Sequence, residues 1–268
     1  MTFTIDEIIS KDDEIFNYFA TVADDLVCEY KKSNYPVSIN CLMGLMGTIN
    51  SLKLAAFDLV EESETHLYAI KTLLRPAIEH FLRFNYLSYE LMRVKNDSVG
   101  EEYRKYSRIS EHIALVKSKF ALESDKKIQN RILNEIRKSV YPSDMSSSEI
   151  KRIVSKWSYK NIARKINSTV FEKHEDWNFI KGLVVEYSEL SSFVHGGVYA
   201  ETCYHLAFSR DTLNKESTES IFLFSFLASA VRLHILMIGC HIDPKFNENF
   251  SEYRNIMSEL LSLKTDIE

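Results

Sequence analysis

Apolar side chains recur at steps of three and four residues over most of the chain, which is the spacing of one face of a helix. Residues 5–33 follow this pattern with acidic residues in between, and residues 37–60 are nearly all apolar, which predicts a core helix with Gly44 and Gly47 on a close-approach face. Further helices are predicted over 63–94, 98–122, 126–140, 162–166, 174–195, 217–241 and 247–264, with a short helix ending at Trp157. The expected fold class is all-α, a multi-helix bundle with long buried central helices, in a single domain covering residues 1–268.

Turn-forming residues mark the ends of these helices. Asn34-Tyr-Pro36 breaks the first helix from the second, Gly196-Gly197 ends the helix over 174–195, and Pro244 ends the helix before the last. Ser217 is expected to cap the helix that ends near His241, and Ser147 or Ser148 the short helix before Trp157. The chain holds only 7 Gly and 4 Pro, too few for the frequent turns of a sheet protein.

The segment Ile221–Cys240 is long and apolar enough to cross a bilayer. Arg232 lies near its middle beside His234, and no cluster of basic residues flanks it, so a buried central helix is favoured over a membrane span. The N-terminus has neither the basic nor the apolar region of a secretory signal. We therefore expect a cytoplasmic protein without a membrane partner.

Charge is unevenly distributed along the chain. The net charge is -5, but residues 126–165 hold eleven Lys and Arg against three acidic residues, so this segment is +8 and the remainder is -13. A basic helical sub-region over 124–167 can bind the phosphate backbone of RNA. It can equally be a solvated face that pairs with the acidic remainder of the same molecule.

Metal and cofactor sites have no support in the sequence. The four cysteines at positions 28, 41, 203 and 240 stand singly, and no histidine pair has metal-ligand spacing. The close glycines, Gly44 with Gly47 and Gly196 with Gly197, do not form a phosphate-binding loop. No metal and no cofactor are expected.

Two groups of polar residues interrupt the apolar helices. Arg75-Pro-Ala-Ile-Glu79-His80 places an arginine and a glutamate one turn apart, where they can pair with each other. Tyr187, Ser191 and His195 step by four and form one stripe that ends at the helix C-terminus, where free carbonyls favour a protonated imidazole. These groups can serve acid–base chemistry, or they can be a structural ion pair and a helix cap.

The R-x3-E helix at Arg75 and Glu79, together with the later Y-x3-S-x3-H-G motif, resembles an all-helical bacterial family of unassigned function. The likeness covers roughly residues 40–200 and includes the region of Trp157. It implies that Arg75, Glu79 and His195 belong to one site, with Tyr187, Ser191 and His80 as binding residues beside it.

A more distant similarity is to the HEPN superfamily of helical bundles, many of which are metal-independent ribonucleases. Their histidine moves the proton of the RNA 2′-hydroxyl, and an arginine four to six residues before it on the same helix stabilises the phosphate. This chain departs from that pattern, because Leu190 and its neighbours stand where the arginine should precede His195. Arg75-x4-His80 has the spacing, but Pro76 occupies the polar position.

The resemblance implies a HEPN-like protein of a bacterial antiphage defence or toxin-type system, acting as a metal-independent endoribonuclease. His195 would be the general acid or base, Arg75 the phosphate ligand and Glu79 the group that orients one of them. RNA would be steered by residues 126–165, and the protein would be a homo-oligomer or act with a partner encoded nearby. The alternative is a non-catalytic helical module that binds a ligand or protein, with a buried Arg/Glu/His cluster.

Overall fold

The computed structural model describes residues 4–62, 66–123, 125–131, 134, 145–166, 177–198, 200–202 and 210–263. Over these residues the chain is helical and contains no strand, which confirms the predicted all-α multi-helix bundle. The helices are, in chain order, α1 Ile5–Tyr30, α2 Pro36–Glu62, α3 Leu67–Val94, α4 Ser98–Leu122, α5 Ser147–Trp157, α6 Tyr159–Ile166, α7 Trp177–His195, α8 Arg210–Ile242 and α9 Asn247–Ser262. A 3₁₀ turn, Pro244–Phe246, joins α8 to α9.

Helix α8 is the central helix of the bundle and packs against α1, α2, α3 and α9. Its apolar stretch Leu213–Ile242 is long enough to cross a membrane, but 72% of its most apolar window is buried inside the protein. The most deeply buried side chains include Ile221, Phe224, Leu227, Val231 and Leu236. The predicted segment Ile221–Cys240 therefore packs as a core helix.

The N-terminus of α2 is held by residues that lie some sixty positions later. Pro36 is its first residue, and the Asp97 carboxylate accepts from the backbone N–H of Val37 at 3.0 Å and of Ser38 at 2.7 Å. The Gly100 N–H donates to Ser38 Oγ at 3.0 Å, and a Cβ at Gly100 would lie 2.4 Å from the Ser38 backbone. Glycine at position 100 thus allows α4 to start directly against α2.

Close approach at Gly44 and Gly47 was predicted wrongly. Both residues are exposed, and a Cβ built on either of them meets no atom within 4 Å. They lie on the solvent-exposed face of α2. The helix has enough apolar residues on its other side to pack that side against the bundle. The glycine that permits a tight contact is Gly100 on α4.

Helix ends agree with the predicted positions except at two caps. Gly196 has a φ of 64°, and the Gly197 N–H donates to the Ser192 carbonyl at 2.8 Å, which ends α7 where the glycines predicted. Helix α8 begins at Arg210, so Ser217 lies buried inside it and is not its cap. The cap of α5 is Ser146, whose Oγ accepts from the Glu149 N–H at 3.2 Å. Residues 141–144, shortly before α5, lie outside the described residues.

Helix α3 carries the first candidate motif and is buried on both sides. Leu82 and Tyr86 are buried on the side of Arg75, and Ile70 and Phe81 are buried on the opposite side, as the all-round apolar pattern predicts. Pro76 lies inside the helix. Helix α3 packs against α2, α7 and α8, so its polar side chains sit at seams between helices.

A cluster of charged side chains lies inside the bundle between α1, α2 and α8. Asp12, Lys53 and Arg232, which we call the core ion cluster, are 0%, 2% and 2% exposed. Asp12 accepts from Lys53 Nζ and, at 2.8 Å, from Ser225 Oγ, and Arg232 donates to Asn50 Oδ1. Burial lowers the pKa of Lys53, while Asp12 opposes that shift. This cluster fixes the three helices to one another.

Candidate functional site

Helices α3 and α7 bring Arg75, Glu79 and Tyr187 together. The Arg75 Nη2 donates to the Tyr187 hydroxyl at 2.8 Å, and that hydroxyl donates to Glu79 Oε2 at 3.0 Å. The guanidinium carbon of Arg75 lies 4.4 Å from the centroid of the Tyr187 ring, within cation–π range. One phenol therefore orients both the arginine and the glutamate of the R-x3-E motif.

Glu79 forms its ion pair with Arg83, and not with Arg75 as the sequence suggested. Arg83 also donates to the Tyr106 hydroxyl of α4 at 3.0 Å. Sequence reasoning missed Arg83, although a glutamate four residues before an arginine is the stronger order for a helical pair. We call Arg75, Glu79, Arg83 and Tyr187 the seam cluster.

Tyr159 of α6 completes the wall of the site, and sequence reasoning did not identify it. Its ring stacks on that of Tyr187 with 3.7 Å between centroids and 25° between planes, and its hydroxyl donates to the Val184 carbonyl at 3.0 Å. Burial raises the pKa of both tyrosines to about 12. At neutral pH both are therefore uncharged phenols that position other groups.

Arg75 is a half-buried guanidinium without a carboxylate partner among the described residues. Its Nε is buried and has no hydrogen-bond partner among the described residues, and the same is true of Arg83 Nε. The seam cluster contains two arginines and one glutamate, so it carries a net positive charge. A partly exposed guanidinium without a carboxylate partner favours the binding of an anion.

His80 lies next to Glu79 on α3, but roughly 140° around the helix from Arg75 at 3.6 residues per turn. Burial lowers the pKa of His80, Arg83 lowers it further, and Glu79 opposes both. Its Nδ1 is buried without a hydrogen-bond partner. His80 is thus a neutral imidazole at pH 7 on the far side of the seam cluster.

His195 and Ser191 are not joined to the other predicted site residues. His195 is exposed at the end of α7, about 12 Å along the axis from Tyr187 at 1.5 Å per residue, and its side chain has no hydrogen bond or ion pair with any described residue. Ser191 is half-buried, and its hydroxyl likewise has no such partner. The structure therefore unites Arg75, Glu79 and Tyr187 and leaves the histidine of the motif at the surface.

Some of the basic residues in 126–165 pair with acids of the same molecule. Arg152 donates to Glu102 at 2.8 Å, and Lys156 lies 2.6 Å from Glu102 and 3.4 Å from Glu90. These ion pairs attach α5 to α3 and α4. They agree with the second alternative for this segment, a basic face that pairs with acidic residues of the same molecule. Lys151 and Lys160 are exposed, and the stretch 135–144 lies outside the described residues.

In the part of the chain that the structure describes, no group of three His, Cys, Asp or Glu is arranged to hold a metal ion. Cys28, Cys41 and Cys240 are free thiols, and Cys203 lies outside the described residues. Comparisons with protein-family models, curated proteins and solved structures find no match. The resemblance to the all-helical bacterial family and to HEPN proteins accordingly rests on the two sequence motifs alone.

Proposed function

We propose that the chain is a HEPN-like helical protein of a bacterial antiphage defence or toxin-type system that binds a phosphate of RNA through Arg75. The class of system follows from the resemblance of the two motifs. The observation that carries the ligand is the Arg75 guanidinium, which is half-buried and has no carboxylate partner among the described residues. A phosphate would pair with the positive charge of this group, which no described carboxylate neutralises.

The other members of the seam cluster would keep Arg75 ready for that ligand. Glu79 accepts a hydrogen bond from the Tyr187 hydroxyl, so a lone pair of the phenol oxygen points toward Arg75 and accepts from it. Arg83 neutralises Glu79, which leaves the positive charge of Arg75 uncompensated. In this proposal Glu79 and Tyr187 are positioning residues, and Arg75 is the residue that touches the ligand.

The geometry supports RNA binding more directly than RNA cleavage. A general base has to lie within about 2.6–3.2 Å of the proton that it removes, or one water molecule away. His195 lies about 12 Å along α7 from the tyrosine that holds Arg75. Metal-independent ribonuclease activity therefore requires His195 and Arg75 to contact one RNA strand at separate points. This activity is an extension of the RNA-binding proposal, and gel analysis of the same RNA tests it.

A non-catalytic structural role of the seam cluster is the second candidate. Its support is the chain of contacts from Arg75 through Tyr187, Glu79 and Arg83 to Tyr106, which ties α3 to α7 and α4. In that case the cluster fixes the packing of the bundle, and the protein functions through contacts with a partner or a second copy.

RNA binding by an Arg75→Gln variant separates the two candidates. The measurement is fluorescence anisotropy of an end-labelled single-stranded 20-mer at 50 mM salt, with Arg254→Gln, an exposed arginine of α9, as the matched control. A charge-assisted hydrogen bond contributes about 1.5–3 kcal/mol, so we expect Arg75→Gln to weaken binding roughly tenfold or more. The control should stay within about twofold of wild type, apart from the uniform loss of one surface charge.

Equal RNA affinity of Arg75→Gln and Arg254→Gln, or no RNA binding by the wild type, would overturn the phosphate proposal. A loss of unfolding free energy in Arg75→Gln without any RNA affinity in the wild type would support the structural role. Gel analysis of the same RNA after incubation adds the catalytic question: cleavage that disappears in His195→Ala extends the proposal to a ribonuclease.

A further inference from the structure

A groove of about 860 Å³ opens between α3, α7 and α8. It is distinct from the seam cluster, since none of the four residues of that cluster lines it. Its apolar wall comes from all three helices and consists of Leu74, Phe179, Leu183, Phe222 and Leu223. Leu74, Leu183 and Phe222 are already buried, whereas Phe179 and Leu223 are half-buried and are the side chains that another molecule can cover.

The edges of this groove are acidic. Glu186 and Glu189 of α7 and Glu216 and Glu219 of α8 face two lysines, Lys71 and Lys215. Lys71 lies 2.5 Å from Glu216, and Lys215 lies 3.8 Å from Glu219, so these four charges pair with one another. Glu186 and Glu189 have no cation partner among the described residues, and they leave the groove with two uncompensated negative charges.

Glu186 is a half-buried carboxylate of the groove, whereas Glu189 is exposed. Burial raises the pKa of Glu186, Lys71 opposes this rise, and Glu189, Glu216 and Glu219 add to it. An unpaired, half-buried carboxylate above an apolar wall is stabilised by a cation whose own stem is apolar. Lysine and arginine side chains have that character.

The length and shape of the groove fit a short helix. At 1.5 Å per residue, its α7 wall from Phe179 to Glu189 is about 15 Å long, and its α8 wall from Lys215 to Leu223 is about 12 Å long. Gly182 has no side chain and therefore leaves more space on the α7 side of the groove. It is exposed, and a Cβ built there would meet no described atom within 4 Å. Internal packing does not require a glycine at this position, which costs a helix about 1 kcal/mol relative to alanine.

We propose that this groove is a docking site for a basic amphipathic helix of a partner protein. Apolar side chains of that helix at positions i, i+3 or i+4, and i+7 would cover the floor, and its Lys or Arg residues would pair with Glu186 and Glu189. About eight to ten residues of helix span the groove at 1.5 Å per residue. This site is independent of Arg75 and of the proposed RNA binding.

A 14-residue Leu/Lys model peptide with one apolar face is the probe, measured by fluorescence anisotropy on the full-length protein. Two variants test the two features of the groove: the double variant Glu186→Gln/Glu189→Gln removes the free charges, and Gly182→Phe fills the groove. Their matched controls are Glu111→Gln, an exposed glutamate of α4, and Gly44→Phe, an exposed helical glycine of α2 with equally open space. We expect both groove variants to weaken binding about tenfold or more, and both controls to remain within about twofold of wild type.

Three results would overturn the proposal. One is binding of the peptide to Gly182→Phe as tightly as to Gly44→Phe, because a helix cannot occupy a filled groove. Another is equal affinity for a Leu/Glu peptide of the same pattern, which would remove the role of charge. The third is displacement of the peptide by spermine at an equal concentration of positive charge, since a free polyamine covers none of the apolar wall. Circular dichroism melting of each variant shows that it is folded, and Gly182→Phe should fold because it adds a side chain in open space.

Discussion

The core ion cluster and the seam cluster both place a cation next to carboxylate and hydroxyl groups on long helices, yet they differ in their exposure. Asp12, Lys53 and Arg232 are almost completely buried, whereas Glu79 and Arg83 keep 21% and 18% of their side-chain surface exposed. A fully buried carboxylate is committed to its internal partners, but a half-buried guanidinium can still exchange a partner for a ligand. The difference in burial gives the first cluster a stabilising role and is compatible with the ligand binding that we propose for the second.

The largest expected effect is the loss of stability in Asp12→Asn. This variant removes the carboxylate partner of the buried Lys53, which should reduce the free energy of unfolding by about 3–5 kcal/mol. Urea denaturation followed by circular dichroism measures it. The neighbouring Asp13→Asn, at an exposed position, should change stability by less than about 0.5 kcal/mol. Equal stability of the two variants would contradict the assignment of stability to the core ion cluster.

A smaller effect is expected from Tyr187→Phe in the seam cluster. The variant keeps the ring that stacks on Tyr159, but it removes the hydroxyl that accepts from Arg75 and donates to Glu79. Since both partners still reach solvent, we expect a loss of about 1–2 kcal/mol in urea denaturation. Tyr159→Phe removes a hydroxyl that bonds to the Val184 carbonyl and interacts with Ser188 but touches neither Arg75 nor Glu79, so it is the control and should lose less. A loss of unfolding free energy as large as that of Asp12→Asn would show that the two clusters contribute equally to stability.

The smallest effect concerns pH and His80. Burial lowers its folded-state pKa below the usual 6.5, so the unfolded chain binds a proton more readily, and stability falls as pH decreases from about 6.5 through the folded pKa. His80→Gln should reduce this acid-side loss, by at most about 1.4 kcal/mol per pH unit. Urea denaturation at pH 7.5 and 5.5 measures it, with the exposed His241→Gln as control. Burial also lowers the pKa of His234, so part of the loss should persist. A variant with the wild-type pH dependence would show that His80 is not desolvated.

The sequence predicted those features of the fold that depend on local chemistry. Pro36 at the start of α2, Gly196-Gly197 at the end of α7 and Pro244 after α8 act on the backbone of their own turn, so they could be read one segment at a time. Helix caps were less predictable, because several neighbouring serines can accept a hydrogen bond from the same backbone amide. Ser146 caps α5 where Ser147 or Ser148 was expected, and Ser217 lies inside α8.

The candidate site was predicted only in part, because the partner of a polar side chain is a tertiary property. The motifs predicted one site of Arg75, Glu79 and His195 with Tyr187 beside it, whereas the structure joins Arg75, Glu79 and Tyr187 and leaves His195 apart. The helical spacing of Glu79 and Arg83 could have revealed that ion pair. No periodicity, however, could indicate that Lys53 meets Asp12 on another helix. Likewise, the exposure of His195 depends on how far α7 extends beyond its neighbours.

The tie between α2 and α4 has a consequence for the growing polypeptide. The amides of Val37 and Ser38 find their acceptor in Asp97, which follows the whole of α3. While α3 is still being synthesised, these two amides can therefore donate hydrogen bonds only to water, and the N-terminus of α2 is not capped. Arrival of Asp97 and Gly100 closes that end and at the same time seats the next helix on it. Completion of the α2 N-terminus therefore waits for the residues at the start of α4.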